Sequence, residues 1–462
     1  MTIHHAEQAE LDRFLREHPG IEMLEVLMPD MNGILRCKRI HRREFQALVD
    51  GQLKSVATLP LVTTMGEYFD EVDARLVAGE PDMRLLPIAD TLSPVPWLSS
   101  PTGQVLVSHA ELDGSPCWVD PRTVLHRVLE RFEASGLRPV VAAEIEFYLV
   151  LPGNGPVPEP LLGSIPGTGL VQPGIQYSMA EDLWEQDRFL DEVRVACEQQ
   201  GVPLTTVHSE FGPGQWEINI RHADNPVTAC DHAVLLKRII KGVALKNGIS
   251  ACFMAKPFPG MDGSGLHIHA SLYDREGNNL FSDPASEDTP AISDVFRHAI
   301  GGMAHTMAEA MAIFAPNANS YRRFLPGVYV PLSPNWGYNH RDVSMRIPVS
   351  GHEDRRVEHR VAGADANPYL VVAAMLAGMH YGISHGCEPG PMTEEGTVLA
   401  DNERLLPGRW EAALQAFAQS EVMREYLGED YWSAFKSMRS AECEAFHARI
   451  SNVDYEWYLR AV

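Results

Sequence analysis

Four segments place charged or imidazole side chains where a β-strand ordinarily carries apolar ones. In AAEIEFYLV, Glu144 and Glu146 are two residues apart, so both project from one face of a strand. In HSEFGPGQWEINI, Glu210 and Glu217 flank Gly212-Pro213-Gly214, a turn signal that predicts a hairpin bringing the two carboxylates together. GSGLHIHASLY puts His267 and His269 on one strand face, and RRVEHRV repeats the spacing with Glu358 and Arg360. Taken singly each pair is weak, since glutamates two apart usually mark a solvated strand face. Together, five glutamates and a histidine on inward-facing strands repel one another unless cations neutralise them. Oxygen ligands with few imidazoles and no cysteine suit Mg²⁺ or Mn²⁺ rather than zinc.

A second group is basic. NSYRRFLPG gives Arg322 and Arg323, NHRDVSMRIP gives Arg341 and Arg346, and DRRVEHR gives Arg355, Arg356 and Arg360. Arg322 and Arg355 read as surface salt bridges. The others read as clamps, because a guanidinium fork matches phosphate and carboxylate in bidentate fashion. Carboxylates that hold metal beside arginines that hold phosphate are the components of a phosphoryl-transfer site.

Residues so placed need strands to carry them and helices to pack behind. The chain has 462 residues, 45% hydrophobic and 22% charged, enough for two or three domains with sizeable cores. A short helix is predicted over 7–18, followed by strand-like IEMLEVLMP and a Met31-Asn32-Gly33 turn. Further on, PRTVLHRVLERFEASG begins with Pro and stops at Gly, a well-formed helix that puts a domain boundary near residue 112. Beyond it, strand-like segments carry the carboxylates and histidines, and helices expected over 183–200, 227–247, 290–314, 367–385 and 408–426 pack against them. Residues 388–402 read as an exposed loop. A net charge of -24 argues against nucleic acid and membrane surfaces as partners. Seven scattered cysteines without a C-x-x-C pair, and a polar N-terminus with no apolar signal core, read as a cytoplasmic protein.

KPFPGMDGSGLHIHASL, NSYRRFLPG, the RIP after Arg346 and RVEHRVAGADANPYL resemble the characteristic blocks of bacterial-type glutamine synthetases, and EIEFYLV and HSEFGPGQWEIN resemble two others in the expected order. The resemblance implies an α+β fold: a small N-terminal β-grasp domain over 1–112 and a catalytic domain over 113–462, built on an antiparallel sheet flanked by helices. It implies ATP as co-substrate, two or more Mg²⁺ or Mn²⁺ ions, and a homododecamer of two stacked hexameric rings. Carried over residue by residue, Glu146, Glu210 and Glu217 hold one metal, and Glu144, His267 and Glu358 the other. Arg323 binds the α-carboxylate of glutamate and Arg360 its γ-carboxylate, with Gly263 near the α-amino group. Arg341, Arg346 and Arg356 face the nucleotide phosphates, and His269 and Ser271 the nucleotide.

Several positions depart from the resemblance. Where glutamine synthetases carry Pro-Gly-Tyr-Glu-Ala-Pro, this chain has PGVYVP, and Tyr329 stands in place of the Glu that holds ammonium. KSVATLPLVTT (54–64) replaces the N-terminal block that supplies an Asp to the same site, and Asp262 replaces the usual Asn before Gly-Ser-Gly. Ammonium needs carboxylates to be concentrated and deprotonated, so the expected substrate is a larger amine. The departures favour an ethanolamine-like monoamine, then a polyamine, for which Glu67, Asp70, Glu71 and Asp73 supply acids near the entrance. The alternatives are a true glutamine synthetase and a catalytically inactive structural or regulatory homologue.

Overall fold

The computed structural model describes residues 3–462 apart from 69–78, 154, 156, 173, 175, 288, 289, 326–328, 395, 396 and 398–404. The acids at 70, 71 and 73 lie outside the described residues. Of that run only Glu67 is placed. The fold is α+β.

Six strands from the first part of the chain form one sheet: β1 (Met23–Pro29), β2 (Leu35–His41), β3 (Lys54–Val56), β4 (Asp82–Pro87), β5 (Ser93–Pro94) and β6 (Thr102–Ala110), in the order β2-β1-β6-β4-β3 with β5 on β6. β1 and β6 are parallel and the other pairings antiparallel.

The second sheet carries the chemistry. β7 (Arg138–Val150) lies between β11 (Gln215–Ile220) and β13 (Leu266–Tyr273), and β10 (Leu204–Ser209) extends the β11 edge. Beyond β13 come β16 (Val357–His359), β15 (Met345–Ile347) and β14 (Trp336–Tyr338), while β12 (Ser250–Cys252) pairs with the end of β7. The pairings are antiparallel except β14 with β15. A separate short hairpin joins β8 (Gly163–Ile165) to β9 (Leu170–Gln172). The period-two alternation of β7 explains its role: Val141, Ala143, Ile145, Phe147 and Leu149 are buried in the core, and the intervening Glu144 and Glu146 point the other way. Burying each large apolar side chain contributes about 1.5–3 kcal/mol, so the apolar face fixes the register and a one-residue slip would bury both glutamates. Ile145→Ala removes roughly 2–5 kcal/mol from this anchor.

Behind the sheet, three helices start alike. Asp120, Asn225 and Asn367 each precede a Pro at the first helical position, and their side chains accept from Arg122 N, Val227 N and Tyr369 N at 2.8, 3.0 and 2.9 Å. A buried network ties them together: Arg122 Nε donates to Asp231 Oδ1 at 2.8 Å, and the Tyr369 hydroxyl donates to the same oxygen at 2.6 Å.

The expected helices over 227–247 and 367–385 are Pro226–Lys246 and Pro368–His385. Three others are broken. The 183–200 segment is two helices, Ala180–Glu185 and Asp187–Gln199. The 408–426 segment breaks at Ser420, whose hydroxyl caps Glu421–Leu427 by accepting from Met423 N at 3.0 Å. The 290–314 segment is Asp294–Thr306 plus a short Met311–Phe314 turn. Its middle is set by a close crossing, since a Cβ on Gly302 would lie 2.1 Å from Gly378 O and 2.4 Å from Gly382 Cα. Glycine is required there because the two helix backbones touch. Helices Glu429–His447 and Asn452–Tyr458 complete the chain. Among the described residues no helix is long and apolar enough to cross a membrane.

Candidate active site

Strand register brings the sequence-separated polar pairs into one patch. Glu217 lies opposite both Glu146 and His208, Glu144 lies between Asn219 and His267, and Glu358 lies between His269 and Arg346. Cross-strand neighbours on one face come within about 4.5–5.5 Å at Cβ, so these six strands supply a contiguous floor. The predicted hairpin is present, with β10 and β11 antiparallel around Gly212-Pro213-Gly214. Gly214 adopts φ 80° and a Cβ there would sit 2.7 Å from Leu161 O, which is why the turn needs glycine.

Two ligand groups share His267. Donor atoms of Glu144, His267 and Glu358 lie within 4.8 Å of one another, as do those of Glu146, Glu217 and His267. A third group joins Glu210 and Glu217 to His208, whose Nε2 is 3.1 Å from a Glu210 carboxylate oxygen. The sequence reading missed His208, although its i, i+2 spacing from Glu210 is the signal used for the other pairs. It also missed Gln215 and Asn219, which alternate with Glu217 along β11. Gln215 Nε2 donates to Glu146 at 3.2 Å and to Gly263 O at 3.0 Å, and Asn219 Nδ2 donates to Glu144 at 3.1 Å.

Electrostatics divide the floor into two halves. Glu358 is 1% exposed, which alone would raise its pKa, but Arg360 and the two histidines outweigh burial and hold its carboxyl at about 2. It pairs with Arg360 and, at 2.7 Å, with Arg346. Burial likewise opposes ionisation of Glu144, and hydrogen bonds from His267 and His269 more than offset it, holding the carboxyl below the usual range. The other half has too little positive charge. Burial, reinforced by Glu144, Glu146 and Glu210, pushes Glu217 up to about 10. Glu146 is also raised, by burial first and with Glu210 adding to it. A buried carboxylate cluster that its own protein cannot neutralise, with oxygen donors and few imidazoles, fits hard divalent cations.

The arginines are positioned by the backbone. Arg323 ends the turn Ser320–Arg323 and is 3% exposed. Its Nη1 donates to Val361 O at 2.8 Å and Nη2 to Arg360 O at 3.3 Å, while Nε has no partner among the described residues. A Cβ on Gly263 would lie 2.6 Å from Arg323 Cγ, so that glycine lets the side chain pass beneath the 263–265 loop. Arg360 Nε donates to Arg341 O at 3.1 Å, whereas the Arg341 side chain is exposed. His269, Ser271 and Arg356 line a cleft of 410 Å³ beside Glu144, with Arg356 Nε 3.3 Å from His269 Nδ1. Asp262 is half-buried, its carboxyl raised by burial, and its carbonyl accepts from the Tyr148 hydroxyl at 2.8 Å.

Two expectations need correction. Arg355 is not a surface residue: it is buried, and its Nε and Nη1 have no partner among the described residues. Arg322 is exposed but makes no ion pair among the described residues. Tyr329 is exposed, with φ 46° in the left-handed region, and no hydrogen bond links it to the acidic floor among the described residues. Glu67 borders a different cavity.

The family model "Glutamine synthetase, catalytic domain" matches residues 118–458. The chain belongs to the glutamine synthetase family. It is 36% identical to gamma-glutamylputrescine synthetase PuuA of Escherichia coli over 98% of this chain and 94% of the relative. It is 33% identical to a glutamate–isopropylamine ligase of a Pseudomonas species over 96% of each. A glutamine synthetase of Thermotoga maritima is 30% identical over 89% of this chain and 94% of the relative. A solved structure of GmaS with ADP superimposes with TM-score 0.81 over 97% of this chain and 99% of that one, at 24% identity, and supports the fold. As a member of this family of ATP-dependent ligases, the chain is an enzyme, and its carboxylate floor corresponds to a family that uses ATP and divalent metals.

Proposed function

We propose that this enzyme activates the γ-carboxylate of glutamate with ATP and joins it to an amine larger than ammonia. The observation that carries the reading is the retained carboxylate and arginine floor combined with a neutral residue, Tyr329, where an ammonium-binding acid is expected. Two relatives whose names specify putrescine and isopropylamine point the same way. An ethanolamine-like monoamine is favoured ahead of a polyamine, because a phenolic hydroxyl can pair with a polar tail but offers no charge to a distal ammonium.

In this reading Arg323 holds the α-carboxylate of glutamate through the N–H that the backbone leaves unpaired, and Gly263 O faces the α-amino group. Arg360, fixed by Glu358, orients the γ-carboxylate. Arg341, Arg346 and Arg356 face the nucleotide phosphates, with His269 and Ser271 on the nucleotide side of the 410 Å³ cleft. Glu146, Glu210 and Glu217, and Glu144, His267 and Glu358, would hold two or more Mg²⁺ or Mn²⁺ ions, whose charge would steady the transferring phosphoryl group. The γ-carboxylate oxygen attacks the γ-phosphorus of ATP and ADP leaves. The amine nitrogen then attacks the acyl carbon and gives up one proton, and phosphate departs with that proton and one former carboxylate oxygen. A β-grasp domain over 1–112, supported by a first sheet that ends at Ala110, and a stacked double-hexamer assembly belong to the same reading.

Glutamate labelled with heavy oxygen in its γ-carboxylate tests the chemistry. One label should appear in each phosphate released in the presence of amine. Unlabelled phosphate would mean that no γ-glutamyl phosphate forms.

A further inference from the structure

A cavity of 940 Å³ lies apart from the acidic floor. It lies between the helix Pro226–Lys246, residues 316–319 and the helix Glu429–His447, within the size range of small-molecule sites. In a chain of net charge -24 its lining holds more basic than acidic side chains: Lys237, Arg238, Lys241, Arg439 and Arg449 against Glu67, Asp365 and Glu442. Lys237 and Lys241 sit one helical turn apart on one face, both over the Phe253 ring, with Nζ 5.3 and 5.4 Å from its centroid. Lys237 Nζ donates to Ala364 O at 2.7 Å. Neither lysine makes an ion pair with a carboxylate among the described residues, whereas Arg439, which also lines the cavity, is paired to Glu442 at 2.6 Å. Two further donors are unspent there: Trp410 Nε1 and Arg439 Nε, in residues 3% and 2% exposed, have no partner among the described residues. Burial pushes Lys237 down to about 7, the neighbouring Lys241 charge adds to the fall, and Lys241 is lowered by burial as well.

Asp365 lines the same cavity and its charge acts on Lys237, but it makes no ion pair with either lysine among the described residues. The two amines and the unpaired donors beside them therefore leave room for an anion. The apolar lining, with Trp97, Phe253 and Phe446, suits the body of an organic molecule rather than a bare ion. We infer that this cavity binds a small organic carboxylate, its head group at Lys237 and Lys241, and that occupancy alters the enzyme's affinity for glutamate.

The coupling follows from what the cavity wall also holds. Ala364, the acceptor of Lys237, donates its N–H to Ser264 O at 3.0 Å, in the loop that contains Gly263. Asp365 Oδ2 accepts from Asn317 Nδ2 at 2.8 Å and from Ser320 Oγ at 2.7 Å, and Ser320 opens the turn that presents Arg323. Phe253 stacks on Phe147 with centroids 5.4 Å apart, next to Glu146 in β7. A head group that draws Lys237 away from Ala364 therefore moves the supports of Arg323 and Gly263. The coupling half rests on the glutamate reading given above, and the binding half does not.

Isothermal titration of the full-length protein with 3-phenylpropionate tests binding, with 3-phenylpropionamide and inorganic phosphate as controls. Saturable binding of the carboxylate is expected, with neither control binding comparably. Loss of one charged head-group contact in Lys241→Met should weaken it about tenfold or more, while the variant stays folded with a midpoint no lower than wild type, because burial already disfavours the charged amine and it makes no ion pair or hydrogen bond among the described residues. Absence of binding, equal binding of the amide or of phosphate, or an unaltered Lys241→Met affinity overturns the site. Binding that requires removal of residues 450–462 also overturns it, and assigns the cavity to the C-terminal residues of another copy. In steady-state assays 3-phenylpropionate should change the KM for glutamate severalfold in the wild type and not in Lys241→Met. Confirmed binding without that change overturns the coupling alone, whereas failure to use glutamate at all would count against the proposed function instead.

Discussion

Replacing Glu217 with glutamine should make the metal-free protein more stable while destroying its activity. Glu217 is 7% exposed and faces Glu144, Glu146 and Glu210, which together with burial lift its pKa from 4.5 to about 10. Below pH 4.5 the carboxyl is protonated in folded and unfolded chains alike, and it costs nothing. Between 4.5 and about 10 only the unfolded chain ionises, so folded stability falls as pH rises. At pH 7 that interval spans about 2.5 units, and at about 1.4 kcal/mol per unit the penalty is about 3 kcal/mol. Glutamine keeps the shape and removes the ionisation. With unfolding entropy scaling with chain length, about 3 kcal/mol is roughly a 3 °C rise in Tm for a chain this long. Differential scanning calorimetry in EDTA at pH 7 and again near pH 4.5 measures it, with the difference expected at pH 7 and absent near 4.5. Mg²⁺ should stabilise the wild type and do much less for the variant, whose turnover should fall by ~100-fold or more. A metal-free Glu217→Gln protein no more stable than wild type at pH 7 would refute the claim that this carboxylate is held against its neighbours for a cation.

Three further outcomes follow from individual side chains. Arg323→Ala should raise the KM for glutamate by ~100-fold, the loss of a buried charged contact to the α-carboxylate, and leave the KM for ATP within a few-fold. Equal loss of both in steady-state assays would remove Arg323 from the glutamate site. Tyr329→Glu should raise turnover with ammonium or weaken the preference for an organic amine, read as the ratio of the two kcat/KM values. His126, buried and lowered to about 4 by burial and then by Arg122, stays neutral in the fold while the unfolded chain takes up a proton below its ordinary 6.5. Stability should therefore fall by about 3 kcal/mol as pH drops from 6.5 to about 4. A parallel urea series on His126→Leu should lack that component.

The acidic floor was legible because strand alternation has a strict period of two. Glu144 with Glu146, and His267 with His269, announce their shared face without knowledge of any partner strand. What the alternation leaves open is which strand lies beside which. His208 comes opposite Glu217, and Asn219 opposite Glu144, only through a register that long-range packing sets. Helix starts were readable where Asp or Asn precedes Pro. Helix breaks were not, because the 290–314 pattern stays apolar through its break, and the crossing at Gly302 depends on Gly378 and Gly382 arriving from another helix. Arg355 misled because an arginine in a polar segment ordinarily stays in water. Its burial follows from tertiary packing that the local sequence does not encode.

Amine specificity separates a γ-glutamyl-amine ligase from an ordinary glutamine synthetase. Phosphate release with ATP, Mg²⁺ and glutamate should be measured against ammonium, ethanolamine, putrescine and isopropylamine at several concentrations each. At least one organic amine should show a kcat/KM well above that for ammonium, with ethanolamine ahead of putrescine. A kcat/KM for ammonium equal to or above that of every organic amine would contradict this and make this enzyme an ordinary glutamine synthetase.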